Sequence, residues 1–316
     1  MISSLELARR CGVSQGTVDR ALHGRPGISM KTREKILRAA RQGGYRPHPG
    51  VRELLTGQSR TVAALVPSVN NIFFMDLFSE LDQALKKEGL RLQLSPVEDR
   101  TSFLEALEDG AARRHRMVIA IPPEDHIPIP KTIAVAFPLV SLLSPCRGTG
   151  VHFLSVDEEQ TGRDAVTYLH EQGHRRILHL TYARRAHAIT ERSLGYRNEM
   201  KTRGLKPHVL VEVDQPSLAK ALEQHQPTAL FCHNDWMALR TMLLLSEMGV
   251  RVPEDISVLG VDNSPTLMAL HPGLTTLAFP LASAVRAVLA ILAGKPGSLS
   301  AERYRVVERT TVRRLR

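Results

Sequence analysis

Gln15, Gly16, Asp19, Arg20 and His23 fall on one side of a helical repeat, and each is either short or able to hydrogen-bond. Side chains of that kind along one helix face suit base edges in a major groove and the phosphates beside it. The other side of the repeat holds Val18, Ala21 and Leu22 at i, i+3 and i+4, an apolar seam that needs a partner. A second set with chemical potential reads HEQGH at 170–174. It matches the HExxH spacing of zinc peptidases, where two imidazoles on one helix face hold the metal and the glutamate is the general base. Here Gly173 directly precedes the second histidine and RRILHL then reads as a strand. His174 is therefore expected beyond the helix end, off the face of His170. No dependable third ligand follows, so a zinc hydrolase is only a remote alternative.

The elements around the first set must supply its partner and its orientation. Leu5, Leu7, Ala8 and Cys11 recur at three- and four-residue spacings, with Ser3 and Glu6 placed for a capping box. Gly12 breaks this helix, Val13 plugs the turn, and Ser14 can cap the next helix. That is a helix-turn-helix pattern, and it points to sequence-specific DNA contact. A third helix is expected over 29–42, capped by Ser29, with Ile36, Leu37 and Ala40 apolar and Gly43 and Gly44 closing it. The stretch YRPHPGVRELLTGQS at 45–59 has too few apolar residues for a core and reads as a linker, with room for one helical turn at 51–55.

Charge supports the same division. Of the net +10 carried by the 316 residues, residues 1–60 hold +8, with 12 Lys and Arg against 4 Asp and Glu. A basic head on a nearly neutral body is the footprint of a nucleic-acid domain joined to something else. Cys11, Cys146 and Cys232 lack paired spacing, which suggests neither a disulfide framework nor a thiolate metal site and suits a reducing cytoplasm. No GxxxxGK[ST] or GxGxxG loop appears, and no cofactor or metal is expected. No apolar run of about 18 residues is present to span a membrane, and the N-terminus reads as the DNA head rather than as a signal peptide.

From Thr61 onward, short apolar runs alternate with amphipathic segments, the pattern of parallel sheets covered by helices. TVAALVP, LRLQL, RMVIAI and PLVSLL read as strands of a first half; RRILHL, VLVEV, TALFC and SVLGVD read as strands of a second. Helices fit 74–88, 102–113, 158–171, 190–203 and 235–248. A body of this size exceeds the usual single core, so two lobes are expected, with a ligand between them outside the carboxyl ends of the strands.

Several stretches resemble the lactose-repressor (LacI/GalR) family of bacterial transcription regulators along nearly the whole chain. In the head they are LARRCGVSQGTVDRALHGRPGIS, TREKIL, GYRP and VRELLTG; in the body, NIFF, VDEEQTGRDAV, LHEQGHRRILHL, RSLGY, HNDWMAL, VPEDISVLGVDNSP and PGLTTL. The resemblance implies a helix-turn-helix domain at 1–48, a hinge at 49–60 and an effector-binding and dimerisation domain at 61–316. The lobes would be about 61–153 plus 280–300, and 154–279 plus the C-terminal tail, similar to periplasmic sugar-binding proteins. Gln15 and Gly16 fall where relatives read base edges, and Thr17 and Arg20 where they contact phosphate or bases. Ser14 and His23 complete the expected DNA-facing set, and Leu54 matches a hinge leucine that wedges into the minor groove. Phe73, Arg192, Asn234 and Asp262 fall where the family grips its small molecule. A carboxylate accepting from vicinal hydroxyls, a guanidinium fork and an aromatic face would serve that purpose. Trp236 fits core, interface or ligand stacking equally well.

Three departures stand out. Asp19 replaces the family's serine and can accept from a cytosine amino group, repel phosphate, or pair with Arg20 or His23, the last being preferred. Pro49 and Gly50 replace the residues that begin the hinge helix, and Ile72 replaces the proline of NPFF. The whole reads as an all-α head on an α/β, two-lobed body with parallel sheets. The function expected is that of a cytoplasmic, homodimeric transcription regulator and repressor, bound to a palindromic DNA operator and controlled by a sugar or sugar-like effector. The rival reading, an exported sugar-binding receptor, would need an export signal and no basic head. The tail RYRVVERTTVRRLR is strand-like, without leucine heptads, so a dimer is expected rather than a coiled-coil tetramer.

Overall fold

The computed structural model describes residues 2–22, 24–45, 59–67, 71–184, 186–271 and 273–315. They fall into two units, Met1–Ser59 and Arg60–Arg316. The expectations for His23, for Pro49 and Gly50, and for Leu54 with its hinge lie outside the described residues.

In the first unit, α1 spans Ser4–Cys11, α2 Gln15–Leu22 and α3 Met30–Gln42. Ser3 caps α1 by accepting from the Glu6 amide at 3.1 Å. The Glu6 carboxylate accepts from Arg10 at 2.9 Å, one turn on, and the reciprocal half of the expected capping box is not formed. Gly12 ends α1 at φ 67°, a left-handed conformation that costs glycine nothing. Ser14 and Ser29 accept from the Thr17 and Thr32 amides at 3.2 and 3.1 Å, opening α2 and α3. The seam of α2 closes on Leu7, Cys11, Ile36 and Ala40 from the other two helices.

The second unit holds two lobes. In the first, β1 (Thr61–Val66), β2 (Arg91–Pro96), β3 (Met117–Ala120), β5 (Leu139–Leu142) and β7 (Val151–Leu154) form a parallel sheet in the order β2-β1-β3-β5-β7. The short strands β4 (Ile127–Pro128) and β6 (Cys146–Arg147) pair separately. Helices α4 (Ile72–Lys87), α5 (Arg100–Ala112) and α6 (Lys131–Ala134) connect these strands. The second lobe runs α7 (Glu158–Glu171), β8 (Ile177–Thr181), α8 (His187–Thr202), β9 (His208–Val211), α9 (Gln215–His225), β10 (Ala229–Cys232), α10 (Asp235–Glu247), β11 (Ser257–Asp262), α11 (Pro265–Leu270) and β12 (Thr275–Ala278). Then α12 (Leu281–Leu292) packs against α4 of the first lobe, and β13 (Arg305–Val307) returns to complete the order β13-β12-β11-β10-β8-β9. Only β13 runs antiparallel in this sheet. Strands β3, β5 and β10 are buried at every position, which is why they read as unbroken apolar runs rather than alternation.

Helix starts differ from the sequence expectation where a cap lies ahead of the apolar period. Asn71 opens α4 by accepting from the Phe74 amide at 3.4 Å, and Asp99 with Ser102 makes a full capping box for α5. Helix α8 begins at His187, three residues before the expected start. Helix α9, also boxed by Asp214 and Ser217, was not expected, nor were α11, α12, β7 or β12 as separate elements, whereas β13 falls within the tail read as strand-like. The edge strand β7 exposes His152 and Phe153, so it lacks the apolar run.

Helices α7 and α8 cross at backbone distance. A Cβ at Gly162 would lie 2.1 Å from the Arg192 carbonyl oxygen, and one at Gly195 would lie 1.8 Å from that of Glu159. Glycine at both positions lets the two helices touch, and this brings Arg192 and Glu158 side by side.

Candidate functional site

On the head, Ser14, Gln15, Gly16 and Arg20 are exposed, while Thr17 and Asp19 are half-buried. The Gln15 amide donates to Ser4 Oγ at 2.8 Å, and Ser14 Oγ and Thr17 Oγ1 share a hydrogen at 2.9 Å. Asp19 pairs with Arg25 at 2.9 Å, an intramolecular ion pair to a residue of the following turn; of its expected partners Arg20 and His23, the second lies outside the described residues. A Cβ at Gly16 would meet nothing nearer than Ser14 Oγ at 3.9 Å. No packing requires glycine there, although it costs a helix about 0.5–1 kcal/mol relative to alanine.

Between the lobes lies a cleft of about 390 Å³, within the usual range for small-molecule sites. It sits beyond the carboxyl ends of the strands, where the strand order reverses about β1 and β3. Phe73, Arg192, Asn234 and Asp262, separate in sequence, all line it.

Phe73 stands in the first turn of α4, its ring edge-on to Phe279 at 5.2 Å. Arg192 is 3% exposed, and its guanidinium is engaged on most sides. Nε and Nη2 donate to Glu158 Oε2 at 3.0 and 2.6 Å, Nη2 also donates to Tyr304 Oη at 3.2 Å, and Nη1 donates to the His233 carbonyl. The fork expected to face a ligand is therefore closed on Glu158. Burial works against the Arg192 charge, but the adjacent carboxylate outweighs it and raises the guanidinium pKa. As a ligand contact, Arg192 retains at most one N–H on Nη1, since a guanidinium has five.

Asn234 caps α10, its Oδ1 accepting from the Met237 amide at 2.9 Å and from Tyr182 Oη at 3.1 Å. Its side-chain NH2 is left for the cleft. Asp262 ends β11, and among the described residues its carboxylate has neither a hydrogen bond nor an ion pair. Desolvation raises its pKa well above the usual carboxylate range, and Arg192 only partly offsets this. Its backbone, at φ 112°, lies where only glycine is at ease, and Asn263 follows at φ 53°.

Three groups join the site without having been expected. Glu158 neutralises Arg192, and Tyr304 accepts a hydrogen bond from it. His233 is 7% exposed, lines the cleft, and makes no hydrogen bond through either ring nitrogen among the described residues. Burial, then the charges of Arg192 and His179, hold its pKa well below 6.5, so the ring is neutral and can donate or accept. Its edge meets the Tyr182 ring at 5.4 Å. A sequence signal existed for one of the three, because a fully buried arginine needs a carboxylate. Trp236 lines the rim and is 53% exposed, so it is not a core residue of this chain.

The HEQGH residues serve the packing. Helix α7 ends at Glu171, and His174 bonds Thr228 Oγ1 and the Arg313 carbonyl, each at 3.1 Å, while His170 meets Arg203 at 3.0 Å. Among the described residues no three His, Cys, Asp or Glu side chains converge as a metal site. No described helix is long and apolar enough to cross a membrane.

Residues 5–48 match the family described as bacterial regulatory proteins, lacI family, and residues 166–314 match the periplasmic binding protein-like domain. The HTH-type transcriptional repressor CytR of Escherichia coli (strain K12) is 29% identical over 296 residues, covering 87% of this chain and 84% of the relative. Catabolite control protein A of Priestia megaterium is 27% identical, covering 89% of this chain and 88% of the relative. Among solved structures, the lac repressor dimer bound to operator and the anti-inducer ONPF superposes with a TM-score of 0.81 at 22% identity, covering 99% of each chain.

Proposed function

Because the chain belongs to the LacI family of bacterial regulatory proteins, we propose that it is a cytoplasmic transcription repressor whose hold on DNA is set by a small molecule in the cleft. Two copies are needed, since one α2 covers one half-site and a palindromic operator mirrors a two-fold dimer. Ser14, Gln15, Gly16, Thr17 and Arg20 face the DNA, with His23 and the hinge residue Leu54 completing the contact. In the body, Phe73, Asn234 and Asp262 touch the effector, and Arg192 chiefly orders the cleft floor through Glu158 and Tyr304. The protein acts by binding rather than by catalysis.

The observation that carries this reading is the convergence of four dispersed residues on one cleft, in a chain that also bears a basic helix-turn-helix head. The cleft chemistry narrows the effector. Glu158 cancels the Arg192 charge, while Asp262 is an uncompensated acceptor beside the Asn234 NH2 and a neutral His233. Such a set favours an uncharged ligand with adjacent hydroxyl or N–H donors, such as a sugar, over a phosphorylated one. The test is release of a bound operator duplex by matched pairs of compounds, ribose against ribose 5-phosphate and glucose against gluconate. Release by an uncharged member supports the reading; release by the anionic members alone contradicts it.

A further inference from the structure

A group of hydrogen bonds crosses between the lobes beside the cleft. Asp76 lies on α4, three residues after Phe73, so the cleft wall and this carboxylate share one helix and nearly one face. Across from it, Ser264 Oγ donates to Asp76 Oδ2, Thr266 Oγ1 donates to Oδ1 at 2.5 Å, and the Thr266 amide points to Oδ2 at 3.4 Å. Ser264 is two residues after Asp262, whose carboxylate lines the cleft.

The segment between them is held from outside rather than by its own preference. Asp262 has φ 112°, a conformation a non-glycine residue keeps only when its surroundings impose it, and Asn263 follows at φ 53°, in the left-handed region that asparagine tolerates. From the second lobe, the Ser264 amide donates to Asp235 Oδ2 at 3.0 Å, Thr276 Oγ1 donates to Asp235 Oδ1 at 2.6 Å, and Arg309 donates to Asn263 Oδ1 at 2.8 Å. Gly260 leaves the space for Asp235, since a Cβ there would stand 2.3 Å from Oδ1. From the first lobe, the bonds to Ser264 and Thr266 come from Asp76.

We propose that Asp76 is a positioning residue for effector control, a latch that ties α4 to the 262–266 turn and sets the lobe arrangement against which a ligand at Asp262 works. The proposal rests on the reading of the cleft as the effector site. A ligand shifts the lobes only by binding one arrangement better than another. A latch two residues from the Asp262 carboxylate on one side, and one helical turn from the Phe73 ring on the other, is strained or relieved by any movement of either. By linkage, removing the latch shifts the same equilibrium with no ligand present and so changes operator affinity.

The experiment uses the full-length protein and an operator duplex selected from random DNA, with affinity read by fluorescence anisotropy in the absence of effector. Asp76→Ala, Thr266→Val and the double variant are compared with wild type, and thermal melting is recorded for each. The expected result is a change in operator affinity of about 5-fold or more, in the same direction for both single variants. The double variant should go no further than Asp76→Ala, because both changes remove one shared contact. A merely structural Asp76 would lower the melting temperature and leave the folded protein's operator affinity unmoved. That outcome, or independent and additive effects, overturns the proposal. Wild-type protein that selects no duplex removes the DNA-binding reading itself, and the proposal with it, before any variant is compared.

Discussion

An added methyl at Gly16 would meet nothing within 3.9 Å, so the fold gains nothing from glycine in α2 and loses some helix stability. The DNA contact proposed for α2 would use that glycine for the close approach of the duplex. Gly16→Ala should therefore stabilise the protein by about 0.5–1 kcal/mol, seen as a higher urea midpoint, and weaken operator binding at least several-fold. Unchanged operator affinity would remove Gly16 from the interface. In the cleft, Asp262→Asn keeps the shape of the side chain and suits the unusual backbone. It should leave operator binding in place and abolish the effector response; an unaltered effector affinity would take Asp262 out of the site. His174 supplies a pH test. Burial lowers its pKa to about 4 from an ordinary 6.5, so the unfolded chain binds the extra proton and this stability is present above about 6.5 and lost as pH falls toward 4. Asp235 and Asp262, with raised pKa values, tilt the other way, so the comparison must be differential. Between pH 6.5 and 4, His174→Gln should lose less stability than wild type; parallel curves would contradict the burial of a neutral ring. The family resemblance marked 262 and 234 as cleft positions, and both line the cleft. It did not reveal that Arg192 is closed on Glu158 or that the His233 ring makes no hydrogen bond among the described residues, because which groups pair across a cleft is decided by helices far apart in sequence.

Helices α7 and α8 position the cleft floor, and the Gly162–Gly195 crossing fixes their separation. Gly195→Ala would drive a methyl into the Glu159 carbonyl, 1.8 Å away, and the helices must part. The expected loss is about 1–3 kcal/mol, by urea denaturation, with a weakened effector response as Arg192 moves off Glu158. Stability within error of wild type would mean the crossing is not tight. Element by element, the strands with unbroken apolar runs were legible, as were the helices with clear periods. The starts of α4 and α5 were misplaced because Asn71 and Asp99 cap ahead of the first apolar residue. Helix α9 was missed although Asp214, Pro216 and Ser217 form a start signal, since Leu218 and Ala221 are its only buried residues. The exposed edge strand β7 offered no pattern to read.

At the scale of the whole molecule, the two-lobed body followed from alternating runs and amphipathic segments, and the head from a short motif with most of the chain's excess positive charge. The return of α12 to the first lobe and of β13 to the second was legible only through family resemblance, because such crossings leave no local mark. The proposed function couples two separate units, one that reads DNA and one that holds a ligand. Phosphate contacts should make operator binding fall steeply with salt, while base contacts should make it selective. The most direct test is selection from a random DNA pool by the purified full-length protein at near-physiological salt, followed by sequencing of the bound fraction. Enrichment of a palindrome, with half-sites spaced for two copies of α2, is the predicted result. A bound fraction with no common motif, both with and without candidate sugars, would contradict the assignment of the head as a reader of sequence.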